Sequence, residues 1–167
     1  AYNLLKKNRE LFPDFMENNK SMSVVHALSE SVPTWARKIL GIHGSLEAGT
    51  KEISTLAQKA HAEKSIFKEE IVAVYSYILF YANNKKEEAY SLFDTYDMDH
   101  RTNPLIAFLK ATMAQKTGRN DEAIKVGDEI ELLSDKIVSI AKELAVIRGN
   151  EAAATISRAG LIGIVVG

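Results

Sequence analysis

Apolar positions recur along the chain at steps of three and four residues, interrupted at short intervals by turn signals. Tyr2, Leu5, Leu11 and Phe12 mark a first helix that stops at Pro13. Asn18-Asn19-Lys20-Ser21 reads as a polar turn, with Ser21 as N-cap of a helix to Ser29 that carries Met22, Val25 and Leu28 on one face. Pro33 opens a helix through Trp35, Ile39 and Leu40, closed by Gly41 or Gly44. Residues 46–62 then place Ile53, Leu56, Ala57 and Ala60 at helical spacing.

Residues 65–82 are apolar on nearly every face, so this helix is expected at the centre of the fold. A strand is the alternative for so β-branched and aromatic a run, but its length favours helix. Residues 86–96 form an amphipathic helix with Ala89, Leu92, Phe93 and Tyr96 on one side. Pro104 opens another, carrying Leu105, Phe108, Leu109, Thr112 and Met113 up to Gly118. Residues 121–133 pair back through Ala123, Ile124, Ile130 and Leu133. A separate helix is expected over 135–148 with Ile137, Ile140, Ala141 and Leu144 inside, then a turn at Gly149-Asn150-Glu151 and a short helix over 152–158. The pattern predicts an all-α protein.

Two of these stretches repeat each other. Asn84-Lys85-Lys86-Glu87-Glu88-Ala89-Tyr90 and Gly118-Arg119-Asn120-Asp121-Glu122-Ala123-Ile124 share a turn residue, an acidic pair, Ala and an apolar residue, with the alanines 34 residues apart. Gly49, Ala89, Ala123 and Ala154 are candidate small positions where paired helices cross, at spacings of 40, 34 and 31 residues. Turn residues precede each by five positions, at Gly44, Asn84, Gly118 and Gly149. Phe80, Ala89 and Phe93 in one unit, and Ala111 and Ala123 in the next, fall at signature positions, whereas Tyr77 and Gly127 depart from the signature.

On these residues the chain resembles tetratricopeptide (TPR) repeat proteins over residues 33–158, and more loosely a class of uncharacterised bacterial TPR-like proteins. The resemblance implies an all-α, TPR-like α-solenoid of three to four helix–turn–helix pairs. An N-terminal helical cap (1–32) would precede it and an apolar tail (159–167) would follow. It also implies a non-catalytic scaffold that binds a peptide or protein partner on its concave face. A regulatory or accessory subunit of an enzyme complex is the alternative. Carried over by register, the groove positions are Val74, Ile78 and Tyr81, then Phe108, Thr112 and Gln115, then Ser139 and Glu143. Only Lys116 adds a lysine nearby, so capture of a C-terminal carboxylate is not expected.

Composition narrows the partner. The 167 residues are 46% hydrophobic and 26% charged, ordinary for a globular chain that buries a core. Lys+Arg 21 against Asp+Glu 22 leaves a net charge of −1, with no surplus to neutralise nucleic-acid phosphates or an anionic bilayer. Without cysteine there is no disulfide and no thiolate chemistry. No apolar run approaches the ~20 residues of a membrane-spanning helix. No basic-plus-apolar leader follows Ala1, which leaves both a cytoplasmic and an exported, processed chain open. The tail from Ala159 to Gly167 is uncharged and is expected to pack on the last helix pair or across a second copy in a homodimer.

Candidate chemistry is sparse. Gly44 to Lys51 resembles a phosphate-binding loop, but Thr50 and Lys51 stand in reversed order and a helix precedes in place of a strand. Asp94, Asp97, Asp99 and His100 crowd one loop without the central Gly or distal Glu of a calcium site. His26, His43, His61 and His100 fall on four segments, with no paired-ligand spacing. Tyr75, Tyr77, Phe80 and Tyr81 form a candidate stacking set, at least two of them expected in the core. Asn19-Lys20-Ser21 is a formal sequon of no diagnostic weight. No catalytic, cofactor or metal site is predicted.

Overall fold

The computed structural model describes the backbone of residues 2–165 and the side chains of residues 2–151. Among the described residues the chain is all-helical, without a strand. Its helices are α1 (Tyr2–Leu11), α2 (Met16–Leu28), α3 (Thr34–Leu40), α4 (Leu46–Ala62), α5 (Lys68–Tyr77), α6 (Lys86–Thr95), α7 (Pro104–Lys116) and α8 (Asn120–Val165). A π-helical turn, Ile78–Ala82, prolongs α5.

The helix ends follow from local chemistry. Ser45 caps α4 by accepting from the Ala48 amide at 3.1 Å, and Asn103 caps α7 by accepting from the Leu105 amide at 3.1 Å. Gly41 (φ 64°) ends α3, and Gly118 (φ 80°) turns the chain from α7 into α8, both in the left-handed region that glycine enters without strain. The helices pack in sequence order: α2 on α4, α5 with its π turn on α6, and α7 on α8. Contacts of α4 with α5 and of α6 with α7 join one pair to the next. Ile71, Val72 and Leu79 of the central helix are wholly buried, with Ile53, Ala57 and Ala60 on one side and Ala89 and Phe93 on the other.

Gly44 and Gly49 owe their place to packing. A Cβ at Gly49 would stand 2.6 Å from both Ala27 Cα and the Ser23 carbonyl oxygen, and one at Gly44 would stand 2.8 Å from His26 Cα. The start of α4 therefore rides directly on the α2 backbone. Ala89 is fully buried and Ala123 partly buried at the corresponding places on α6 and α8. The Ala154 side chain lies outside the described residues, as do the side chains of the tail.

Two expectations fail. The polar stretch 18–21 is not a turn and Ser21 is not an N-cap: α2 begins at Met16, and Asn18 and Lys20 are buried on it. Partners on the same helix and beyond it make this burial tolerable. The Asn18 amide donates to the Leu5 carbonyl at 3.1 Å, and the Lys20 ammonium meets Glu17 at 2.6 Å and Glu70 of α5. The second failure lies downstream. No break separates 121–133 from 135–148, and no turn occurs at Gly149-Asn150-Glu151, because α8 runs through both.

Candidate functional site

Tyr77 and Tyr81 are four residues apart where α5 passes into the π turn, so their rings share the outer face. They are 52% and 45% exposed, with centroids 4.6 Å apart at an interplanar angle of 39°. Tyr75 and Phe80 point inward and are buried. The candidate stacking set thus divides into two core and two surface rings.

α7 continues this face. It is apolar around much of its circumference; Ile106, Ala107, Met113 and Ala114 fill the core while Leu105 and Phe108 project, Phe108 with 65% of its surface in water. The Lys116 ammonium sits 5.9 Å from the Tyr81 ring centroid and fixes the end of α7 beside the tyrosines. Thr112 is half-buried, its hydroxyl donating to the Phe108 carbonyl at 2.8 Å, and Gln115 is exposed.

The eight expected groove residues therefore separate. Tyr81 of the π turn and Phe108 and Gln115 of α7 are exposed, with Thr112 of α7 half-buried between the latter two. Val74 is half-buried against the core, and Ile78 is only 2% exposed, a packing residue. Ser139 and Glu143 sit on the part of α8 that α7 does not cover, because 135–148 is a continuation of that helix and not the first helix of another pair. Tyr77, set aside as a departure from the repeat signature, belongs to the exposed face. Its i, i+4 relation to Tyr81 was the available signal.

A polar cluster flanks the face between α6, α7 and α8. The Arg119 guanidinium lies 4.4 Å over the Tyr90 ring, donates to Thr117 Oγ1 at 2.6 Å and pairs with Glu87. Burial, reinforced by the Glu122 carboxylate, drives the Tyr90 hydroxyl far above the usual phenol range, so it stays protonated. Lys110 is buried between Asp94 and Glu122, each 3.9 Å away.

The other candidate groups are engaged locally. Thr50 Oγ1 donates to the Leu46 carbonyl at 2.6 Å and accepts from Asn83 at 2.9 Å. The cleft beside it, about 610 Å³, sets Lys51 and Lys85 among Glu30, Glu47 and Glu88, a poor match for phosphate. Asp99 accepts from Arg101 Nε at 3.0 Å, a contact that holds its carboxyl below the usual range, and His100 meets Glu129 at 2.8 Å. His26 Nδ1 is hydrogen-bonded to the Glu52 carboxylate at 2.7 Å and its Nε2 to the Tyr2 hydroxyl at 3.1 Å, joining α1, α2 and α4. His61 stands edge-on to Tyr96, and His43 accepts the Tyr2 hydroxyl on its backbone carbonyl. Among the described residues, no group of three or more His, Asp or Glu side chains is placed to hold a metal ion, and no helix is long and apolar enough to cross a membrane.

No protein-family model, curated protein or solved structure matches the chain.

Proposed function

We propose that the chain is a non-catalytic protein-interaction scaffold, built as a TPR-like solenoid from the pairs α2–α4, α5–α6 and α7–α8. The first helices of these pairs line one side, and a peptide or protein partner docks there on α5 and α7. The order of helix contacts and the small residues Gly49, Ala89 and Ala123 on α4, α6 and α8 support the architecture. The exposed rings of Tyr77, Tyr81 and Phe108 carry the binding reading. Rigid aromatic side chains held outward on packed helices offer large contact area at little entropic cost, the usual character of interface hot spots. Val74, Thr112 and Gln115 border them.

Panning a phage-displayed peptide library against the folded chain tests this reading. Enriched peptides should bind with affinities that fall at least tenfold in Tyr81→Ser and Phe108→Ser, while circular dichroism melts stay at the wild-type midpoint. Peptides that bind both variants as tightly as wild type would place the site elsewhere and sink the assignment.

A further inference from the structure

α8 outruns the helix it packs on. In the part of α8 that follows the turn from α7, Val126 is buried and Ile130 and Leu133 are partly buried, whereas every residue from Ser134 to Glu151 is exposed. The apolar seam does not end where its cover ends. Val126, Ile130 and Leu133 are followed by Ile137, Ile140, Leu144 and Ile147, at steps that alternate between four and three. These are the a and d positions of a heptad, with Ile130, Ile137 and Leu144 at a. The four uncovered residues keep between 48% and 56% of their surface in water. A seam of this period drifts around a straight helix, so a helix that supercoils with α8 covers it best.

We propose that this stretch forms a parallel coiled coil with the same stretch of further copies of the chain, an interface separate from the α5–α7 face. The surface is complementary to itself: in parallel register each a or d residue meets its own counterpart, so every core layer is apolar. The flanks select this orientation. Glu143 occupies g and Arg148 the following e, so the carboxylate of one copy faces the guanidinium of the next. The preceding g–e pair, Lys136 with Ala141, brings no like charges together. An antiparallel pair centred on the same seam would set Ile140 against Leu144 but would bring two Glu143 carboxylates side by side. Isoleucine at both a and d, as at Ile137 and Ile140, favours three or more strands over two. Glu151 takes the next a position and closes the apolar run, while Val138 and Val146 stand off the seam.

Light scattering on the full chain across a concentration series tests the proposal. The wild type should have the mass of an oligomer, and Ile140→Lys with Leu144→Lys should bring it to one chain. Both positions are exposed, so the thermal melt of the helical body at low concentration should not change. Glu143→Arg should weaken association at least tenfold, and adding Arg148→Glu should restore it. Since the chain has no cysteine, Ile140→Cys offers a single thiol that should cross-link copies under oxidation. A wild type that stays monomeric at the highest soluble concentration overturns the proposal. So does an oligomer that survives both lysine substitutions, which would put the interface in another part of the chain.

Discussion

The α2–α4 and α7–α8 contacts each hold two helices together in the same fold, yet they are made in opposite ways. α2 and α4 are similar in length, 13 and 17 residues, and meet backbone to backbone across Gly44 and Gly49. α7 and α8 are mismatched, 13 residues against 46, and pack with side chains buried on both, Met113 on α7 and Val126 on α8 among them. A glycine contact has no slack, since any side chain added there must push a helix away. A side-chain contact tolerates adjustment, but its unequal lengths leave apolar surface uncovered. One joint fixes the fold and the other leaves an interface.

The sharpest way to break this contrast is Gly49→Leu, which forces a side chain into the α2 backbone. It should destabilise the chain by about 3 kcal/mol or more, seen as a lower urea midpoint. An unchanged midpoint would show that α4 does not approach α2 this closely. Ala89→Trp and Ala123→Trp come next, each costing on the order of 1–3 kcal/mol by overpacking. Fully buried Ala89 should lie at the upper end and half-buried Ala123 at the lower, and melts equal to wild type for both would remove the shared crossing position. Gly127→Ala acts in the other direction. A Cβ there meets nothing within 4 Å, so replacing a mid-helix glycine should raise stability by roughly 0.5–1 kcal/mol.

The smallest effect appears only at high pH. Burial opposes the charge on Lys20, but the Glu17 and Glu70 carboxylates outweigh it and raise the ammonium pKa above its ordinary 10.5. A raised lysine pKa stabilises the fold fully below the unfolded value and is lost as pH climbs through the folded one. Wild type should therefore lose stability above about pH 10.5 in a way that Lys20→Met does not. Parallel decline of the two melting curves would remove Lys20 from the α2–α5 link.

How much of this was legible in the sequence depended on whether the deciding partner was near in the chain. α4 and α7 fall at Leu46–Ala62 and Pro104–Lys116, as periodicity and Pro104 predict, because the Ser45 and Asn103 caps and Pro104 all act within one turn. The start of α2 was hidden. Asn18 and Lys20 look like surface residues until the Leu5 carbonyl and the Glu70 carboxylate come into place. The continuity of α8 was hidden for another reason. A solvent-exposed glycine such as Gly149 costs a helix only about 1 kcal/mol, so without a proline it does not compel a break. The exposed tyrosines were half visible: spacing put Tyr77 and Tyr81 on one face, and only packing decided that the face looks outward.

The π turn at Ile78–Ala82 has a consequence for sequence length. The Asn83 amide reaches back five residues to the Ile78 carbonyl, at 3.0 Å, so this turn holds one residue more than an α-helical turn would. In the language of sequence change it is a tolerated insertion. Deleting Leu79 alone would restore ordinary pitch and leave the residues before and after it facing much as they do now. Tyr77 and Tyr81 would then be three residues apart in place of four, still neighbours on one face of the helix. The pairing of those rings thus tolerates a change in the count of residues between them, a variable that a scan limited to substitutions would never sample.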